Sequence, residues 1–190
     1  MACDLHGYPK FTTTEARYNM NMNDLTSAPA KAQRALTIHL SSSTGEGPTP
    51  LAAFDAALME AGVANYNLLC LSSVIPPNAR IVRAKHSTAP HDYGRRLYVV
   101  MSQMRQSVAG QYAHAGIGWV QEGDDGRGLF VELHDDNRDR LERDLQTTLE
   151  AMRRYRDVDY GPVQMAIASR QCMTQPVCAL VVAVYACEPW

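Results

Sequence analysis

Ser72 and Ser73 stand between the apolar run Asn65-Tyr66-Asn67-Leu68-Leu69-Cys70-Leu71 and the segment Val74-Ile75-Pro76-Pro77. The pattern predicts a strand that stops at a serine pair and is then stiffened by two prolines. Pro76 and Pro77 fix their own φ, and Pro76 biases Ile75 towards extended backbone. A serine hydroxyl held against the preceding carbonyl can attack it and convert an amide into an ester. That is nucleophilic chemistry turned on the chain itself, with proximity supplying much of the acceleration. Without further support, the same residues describe only a strand followed by a proline turn.

Three other residues have types suited to this chemistry. Asn67 precedes the serine pair on the expected strand, where its amide could donate to a carbonyl oxygen that gains charge, although the residues alone favour a bond to local backbone. Glu132 lies in Leu129-Phe130-Val131-Glu132-Leu133. On a strand it shares a face with Phe130 and opposes Val131 and Leu133. An interior position would raise its pKa and suit it to general-acid work, whereas a solvent-facing one would leave it an ordinary strand glutamate. Asp55, one turn after Leu51 and one before Leu58, is expected at the margin of a helix's buried face, either in water or projecting into a cleft.

Other chemistries find little support. The six histidines form no ligand-spaced cluster, and His114 and His134 carry no assigned role. No Ser/His/Asp hydrolase motif is present, and Gly45-Glu46-Gly47 is too short for a phosphate cradle. A formal charge of −2 and a pI near 6.3 give no electrostatic footprint for nucleic acid. Five cysteines without a C-x-x-C pair predict free thiols in a reducing compartment, with Cys70, Cys178 and Cys187 in packing positions. The longest apolar run, Val177 to Cys187, is too short for a bilayer, and the start of the sequence has no apolar signal core. A cytoplasmic protein is expected, without a membrane partner.

The elements that must position these residues follow from periodicity. Residues 1–34 read as a polar tail, and 35–190 as one domain with ample apolar content, 46% over the chain. A strand is expected near Arg34–Leu40, then a flexible loop from Ser41 to Gly47. Thr49 as N-cap, Pro50 at N1 and Gly62 at C′ delimit a helix over 50–61, with Leu51, Phe54, Leu58 and Ala61 on its apolar side. Further strands are expected at Tyr66–Leu71 (largely buried), Leu97–Ser102, His114–Gln121 and Gly128–His134. The last two flank the turn Glu122–Arg127. A helix from about Asn137 to Arg156 presents Leu141, Leu145, Leu149 and Met152, and strands near Val163–Arg170 and Val177–Ala186 finish the chain. One-faced helices beside many strands indicate an α+β sandwich.

The stretch Gly45 to Val63, continuing through Asn67, Ser72-Ser73, Pro76-Pro77 and Ile81-Val82, resembles the pyruvoyl-dependent arginine decarboxylases. Gly128-Leu129-Phe130-Val131-Glu132 is similar to that family's glutamate-bearing strand. The resemblance is strong over about residues 45–82 and weaker out to the end of the sequence. It implies an αββα sandwich and self-cleavage between Ser72 and Ser73. Residue 73 would pass through dehydroalanine and lose ammonia to become a pyruvoyl group. That group forms a Schiff base with an amino-acid substrate and stands in for pyridoxal phosphate. Further implications are a processing role for Asn67, general-acid catalysis by Glu132, guanidinium contact by Asp55, and Leu51, Leu58 and Val74 near the site. The assembly implied is a homotrimer or a pair of stacked trimers, acting on arginine to give agmatine, with no metal. Tyr66, the Glu122–Arg127 insertion and the tail depart from the family pattern. The same chemistry on another amino acid, and a non-cleaving trimeric scaffold, therefore stay open.

Overall fold

The computed structural model describes residues 35–123 and 126–190; the expected polar tail, with Cys3, lies outside them. The chain order is β1 (Thr37–Glu46), α1 (Pro50–Ala61), β2 (Asn67–Cys70), β3 (Val74–Ile75), β4 (Arg80–Arg83), a 3₁₀ turn (Pro90–Asp92), β5 (Arg96–Gln106), β6 (Tyr112–Gln121), β7 (Gly128–Asp135), α2 (Arg138–Arg154), β8 (Gln164–Gln171) and β9 (Val177–Glu188). The strands form a five-stranded sheet, β2-β5-β9-β1-β4, and a four-stranded sheet, β3-β7-β6-β8. Pairing is antiparallel except for β1 with β4 and β2 with β5.

Alternation along the strands sorts the core into three layers. Ile38, Val100, Ile117, Phe130, Val181 and Ala183 fill the space between the sheets. Leu97, Val99, Leu180 and Val182 face the opposite way and receive α1. Val120, Leu129 and Val131 receive Leu141, Leu145 and Leu149 of α2. The architecture is therefore the expected αββα sandwich. Each helix covers the outer face of one sheet, and β9 is buried on both faces as its continuous apolar run requires.

The helix limits at Pro50–Ala61 match the capping signals: the Thr49 hydroxyl accepts from Ala52 N–H, and Gly62 takes the left-handed φ of 80°. The buried face of α1 keeps Leu58 and Ala61, with Phe54 partly buried, but is rotated away from the expected Leu51. Ala53, Ala57, Leu58 and Ala61 point inward, while Leu51 is 65% exposed. The reason is close approach. A Cβ on Gly45 of β1 would lie 2.1 Å from the Ala53 carbonyl oxygen, so only a face of alanines fits against that strand.

Three further expectations are corrected, and two short strands had no expectation. Ser41 to Glu46 is strand rather than loop. It pairs with β9, and the buried Ser43 hydroxyl donates to the Ala57 carbonyl at 2.9 Å, so tertiary pairing overrides a loop-like composition. The strand at 67–70 is an exposed edge, not a buried one, because only β5 flanks it. Cys70 on that edge is accordingly exposed rather than packed, although Cys178 is buried and Cys187 half-buried as expected; all four described cysteines are free. The segments Val74–Ile75 and Arg80–Arg83, too short to carry a periodic signal, are strands. No described helix is long and apolar enough to cross a membrane.

Candidate active site at the crossing between sheets

Strand β2 belongs to the five-stranded sheet and β3 to the four-stranded sheet, so the chain changes sheets across the serine pair. Leu71 is the last residue tied to the first sheet, its N–H donating to the Val99 carbonyl at 2.8 Å. Ser73 is the first tied to the second, its carbonyl accepting from Phe130 N–H at 2.9 Å. The Ser72–Ser73 peptide bond is the bridge. Beyond it, Val74 and Ile75 pair with Leu129 and Gly128, and Pro76 accepts from Ala79 N–H in a turn where Asn78 has φ 60°. Gly128 lets β7 lie close against β6, since a Cβ there would sit 2.1 Å from the Val120 carbonyl oxygen.

Ser73 itself has φ 60°, in the left-handed region that a residue with a Cβ enters at a cost of about 1–2 kcal/mol. Its hydroxyl donates a hydrogen bond to the Glu132 carboxylate. Glu132 reaches it because Phe130 and Glu132 share the inward face of β7; Phe130 is fully buried and Glu132 partly open. A serine hydroxyl, the carboxylate that accepts its hydrogen bond, and a strained backbone thus meet at one peptide bond.

One further residue belongs to this cluster and carries no local sequence signal. The Tyr185 hydroxyl, from β9 of the opposite sheet, donates to the Val74 carbonyl at 2.9 Å. Its ring meets Phe130 edge-on, centroids 6.3 Å apart. Burial first, and the Glu132 charge second, push the phenol pKa well above its ordinary value, which keeps it a donor. The signal available in sequence was register: Val177, Ala179, Val181, Ala183 and Tyr185 share one parity, and the first four line the inter-sheet core.

The remaining candidates are placed differently. Val74 adjoins Ser73 and is exposed. The Asn67 amide donates to the Gly94 carbonyl at 2.6 Å, at the end of β2 away from the serine pair. Asp55 is exposed on α1, where with Leu51, Phe54 and Leu58 it lines a shallow concavity of about 480 Å³. Because α1 covers the outer face of the five-stranded sheet, this concavity and the Ser73–Glu132 pair lie on opposite faces of that sheet within one chain. Tyr66 is turned into the α1 layer, its hydroxyl donating to Asp92 at 3.3 Å and lying 3.2 Å from His86 Nε2. Its bulk therefore fills core rather than the space beside Ser73.

The structure is thus an α+β sandwich with a serine–carboxylate pair where the chain crosses between its sheets. Residues 37–188 match the family model for pyruvoyl-dependent arginine decarboxylase, and the chain belongs to that family. It is 41% identical over 101 residues to a pyruvoyl-dependent arginine decarboxylase of Halobacterium salinarum, a match covering 52% of this chain and 61% of that relative. A relative of the same description from Methanothermobacter thermautotrophicus is 32% identical over 120 residues, 63% of this chain and 74% of the relative. One from Methanopyrus kandleri is 62% identical over 40 residues, 21% and 27% of the two chains. The matches to the first two of these relatives thus span somewhat under two thirds and about three quarters of their length.

Proposed function

We propose that this chain is a self-processing pyruvoyl-dependent decarboxylase that converts arginine to agmatine and carbon dioxide. The observation that carries the reading is the Ser73 hydroxyl held on the Glu132 carboxylate beside a strained peptide bond that bridges two sheets.

In maturation, Ser73 Oγ passes its proton to Glu132 and adds to the Ser72 carbonyl carbon. The C–N bond to Ser73 breaks, leaving an ester and a free amine. Loss of the Cα proton of residue 73 expels the Ser72 carboxylate and leaves dehydroalanine. Uptake of water and release of ammonia then give the ketone. The positive φ of Ser73 favours this direction, because the strain disappears when the peptide bond does. Asn67 is a candidate aid to this step, provided its amide leaves Gly94.

The residues around position 73 suit a pyruvoyl group. When formed, the group supplies an electrophilic ketone for the substrate amine and a sink for the electrons left by carbon dioxide. Phe130 N–H polarises the adjoining amide carbonyl, and Glu132 stands where a proton must be returned to the substrate α-carbon.

Arginine binding is assigned to Asp55, whose carboxylate matches a guanidinium, with Leu51, Leu58 and Val74 as apolar walls. Since Asp55 and Ser73 lie on opposite sides of one sheet in a single chain, the complete site needs a second copy. We infer a homotrimer, or two stacked trimers, in which α1 of one protomer faces the Ser73 cleft of its neighbour. The exposed Leu51 and Val74, 65% and 58% accessible, are then interface residues.

Intact mass spectrometry tests the reading. Cleavage predicts chains of 72 and 118 residues (190 − 72), the longer one blocked at its start. A single uncut chain after long incubation would favour the scaffold reading instead.

A further inference from the structure

We propose that Tyr185 is a positioning residue for the reactive group at position 73, acting through the Val74 carbonyl. The inference rests on the decarboxylase reading and adds to it a residue on the opposite sheet. Residues 73 and 74 direct successive carbonyls to different sheets. The Ser73 carbonyl accepts from Phe130 N–H in the four-stranded sheet, and the Val74 carbonyl accepts from the Tyr185 hydroxyl in the five-stranded one. Strand β3 has only two residues, so its ladder with β7 holds weakly alone.

Cleavage changes how much depends on Tyr185. In the intact chain, position 73 is tethered upstream by Leu71, bonded to Val99, and downstream by β3. Once the bridge is cut, the upstream tether no longer acts on residue 73. The new chain start is then fixed by Phe130 N–H, by the two-residue ladder of β3 on β7 and by Tyr185, immediately beside Glu132. The ring of Tyr185 packs on Phe130, the residue two before Glu132 on the same strand face, so one side chain braces both the electrophile and the strand carrying the acid. A hydroxyl lost here leaves the packing intact and frees one end of the peptide that orients the ketone.

The test compares Tyr185→Phe with the parent, each with and without Ser73→Ala to block cleavage. Amide hydrogen exchange in the peptide covering Val74–Ile75 is expected to accelerate about fivefold in processed Tyr185→Phe. The uncleaved Ser73→Ala/Tyr185→Phe chain should exchange there like Ser73→Ala. Self-cleavage should go to completion, and kcat for arginine should fall about tenfold with KM within twofold. Tyr98→Phe, which removes a β5 hydroxyl bonded to Glu188, should change none of these. Faster exchange in cleaved and uncleaved chains alike would reduce Tyr185 to a general packing residue and overturn the proposal. So would unchanged exchange and kcat in an active, processed parent background. A parent chain that neither cleaves nor releases carbon dioxide would instead overturn the decarboxylase reading, and this inference with it.

Discussion

Leu71 and Ser73 are separated by one residue yet belong to different sheets: Leu71 donates to Val99 in one, and Ser73 accepts from Phe130 in the other. The Ser72–Ser73 peptide is therefore held from both ends, while Ser72 between them is exposed. The flanks anchored in two sheets hold Ser73 at its positive φ.

The same relationship predicts that cutting the bridge does not release the pieces. The shorter piece carries β1, α1 and β2, and β1 lies between β9 and β4 inside the five-stranded sheet. Separation would expose Ile38, Leu40 and the alanine face of α1. Both pieces should elute together in gel filtration without denaturant, with a thermal midpoint within about 5 °C of Ser73→Ala. Dissociation on processing would show that the upstream segment is not an integral part of the fold.

Glu132→Gln separates the two reactions. A glutamine oxygen still positions the Ser73 hydroxyl but cannot take its proton, so cleavage should slow and proceed with water as the base. The amide has no proton to give the substrate carbon, so kcat should fall about 10²–10⁴-fold. Single-turnover carbon dioxide release and the mass of the processed chains measure the two separately. Turnover at the parent rate would remove Glu132 from the acid role.

Much of this site was legible because its signals are local. A serine pair before two prolines, and a glutamate two residues after a buried phenylalanine, need only strand alternation to be placed. What escaped depended on partners distant in sequence. Ser41 to Glu46 reads as a loop until β9 pairs with it, and α1 shows its alanines rather than Leu51 to the core because Gly45 admits nothing larger. Tyr185 was hidden for the same reason, its partner carbonyl being 111 residues away in sequence. Asp55 was legible as a boundary carboxylate, but not which sheet face its helix would cover.

Acid stability offers a check on the strand that carries Glu132. Asp135 ends β7 and accepts two bonds from Arg140, at 2.6 and 2.5 Å, and one from Asn137 N–H at 2.6 Å. Chiefly because of Arg140, its pKa is lowered from 3.8 to about 2. A carboxylate depressed in the folded state adds stability that is complete above its unfolded pKa and is lost as pH falls through the folded one. Urea midpoints of Arg140→Ala should thus lie below the parent at pH 7 and converge with it between about pH 4 and pH 2. A gap that stays constant across that window would mean Arg140 acts through packing alone.

Asp55 carries the prediction about substrate, and its position makes that prediction sharper. A carboxylate beside Leu51, Phe54 and Leu58 should select a long side chain ending in a cation, so arginine should outrun neutral and acidic amino acids in carbon dioxide release. Leaving that carboxylate unpaired in a desolvated site costs on the order of 1–3 kcal/mol. Asp55→Asn should therefore lower kcat/KM for arginine about tenfold or more while affecting a neutral amino acid little. Preference for leucine or aspartate in the parent would instead move the substrate to another amino acid. Because Asp55 and Ser73 lie on opposite faces of one sheet within a chain, the loss should be repairable in trans. Ser73→Ala supplies an intact Asp55 but no pyruvoyl group, and Asp55→Asn supplies the group without the carboxylate. Co-assembled, the two should recover arginine turnover well above the sum of the separate variants, since some protomer contacts pair one intact half with the other. Simple additivity in verified mixed oligomers would show that Asp55 does not serve a neighbour's site.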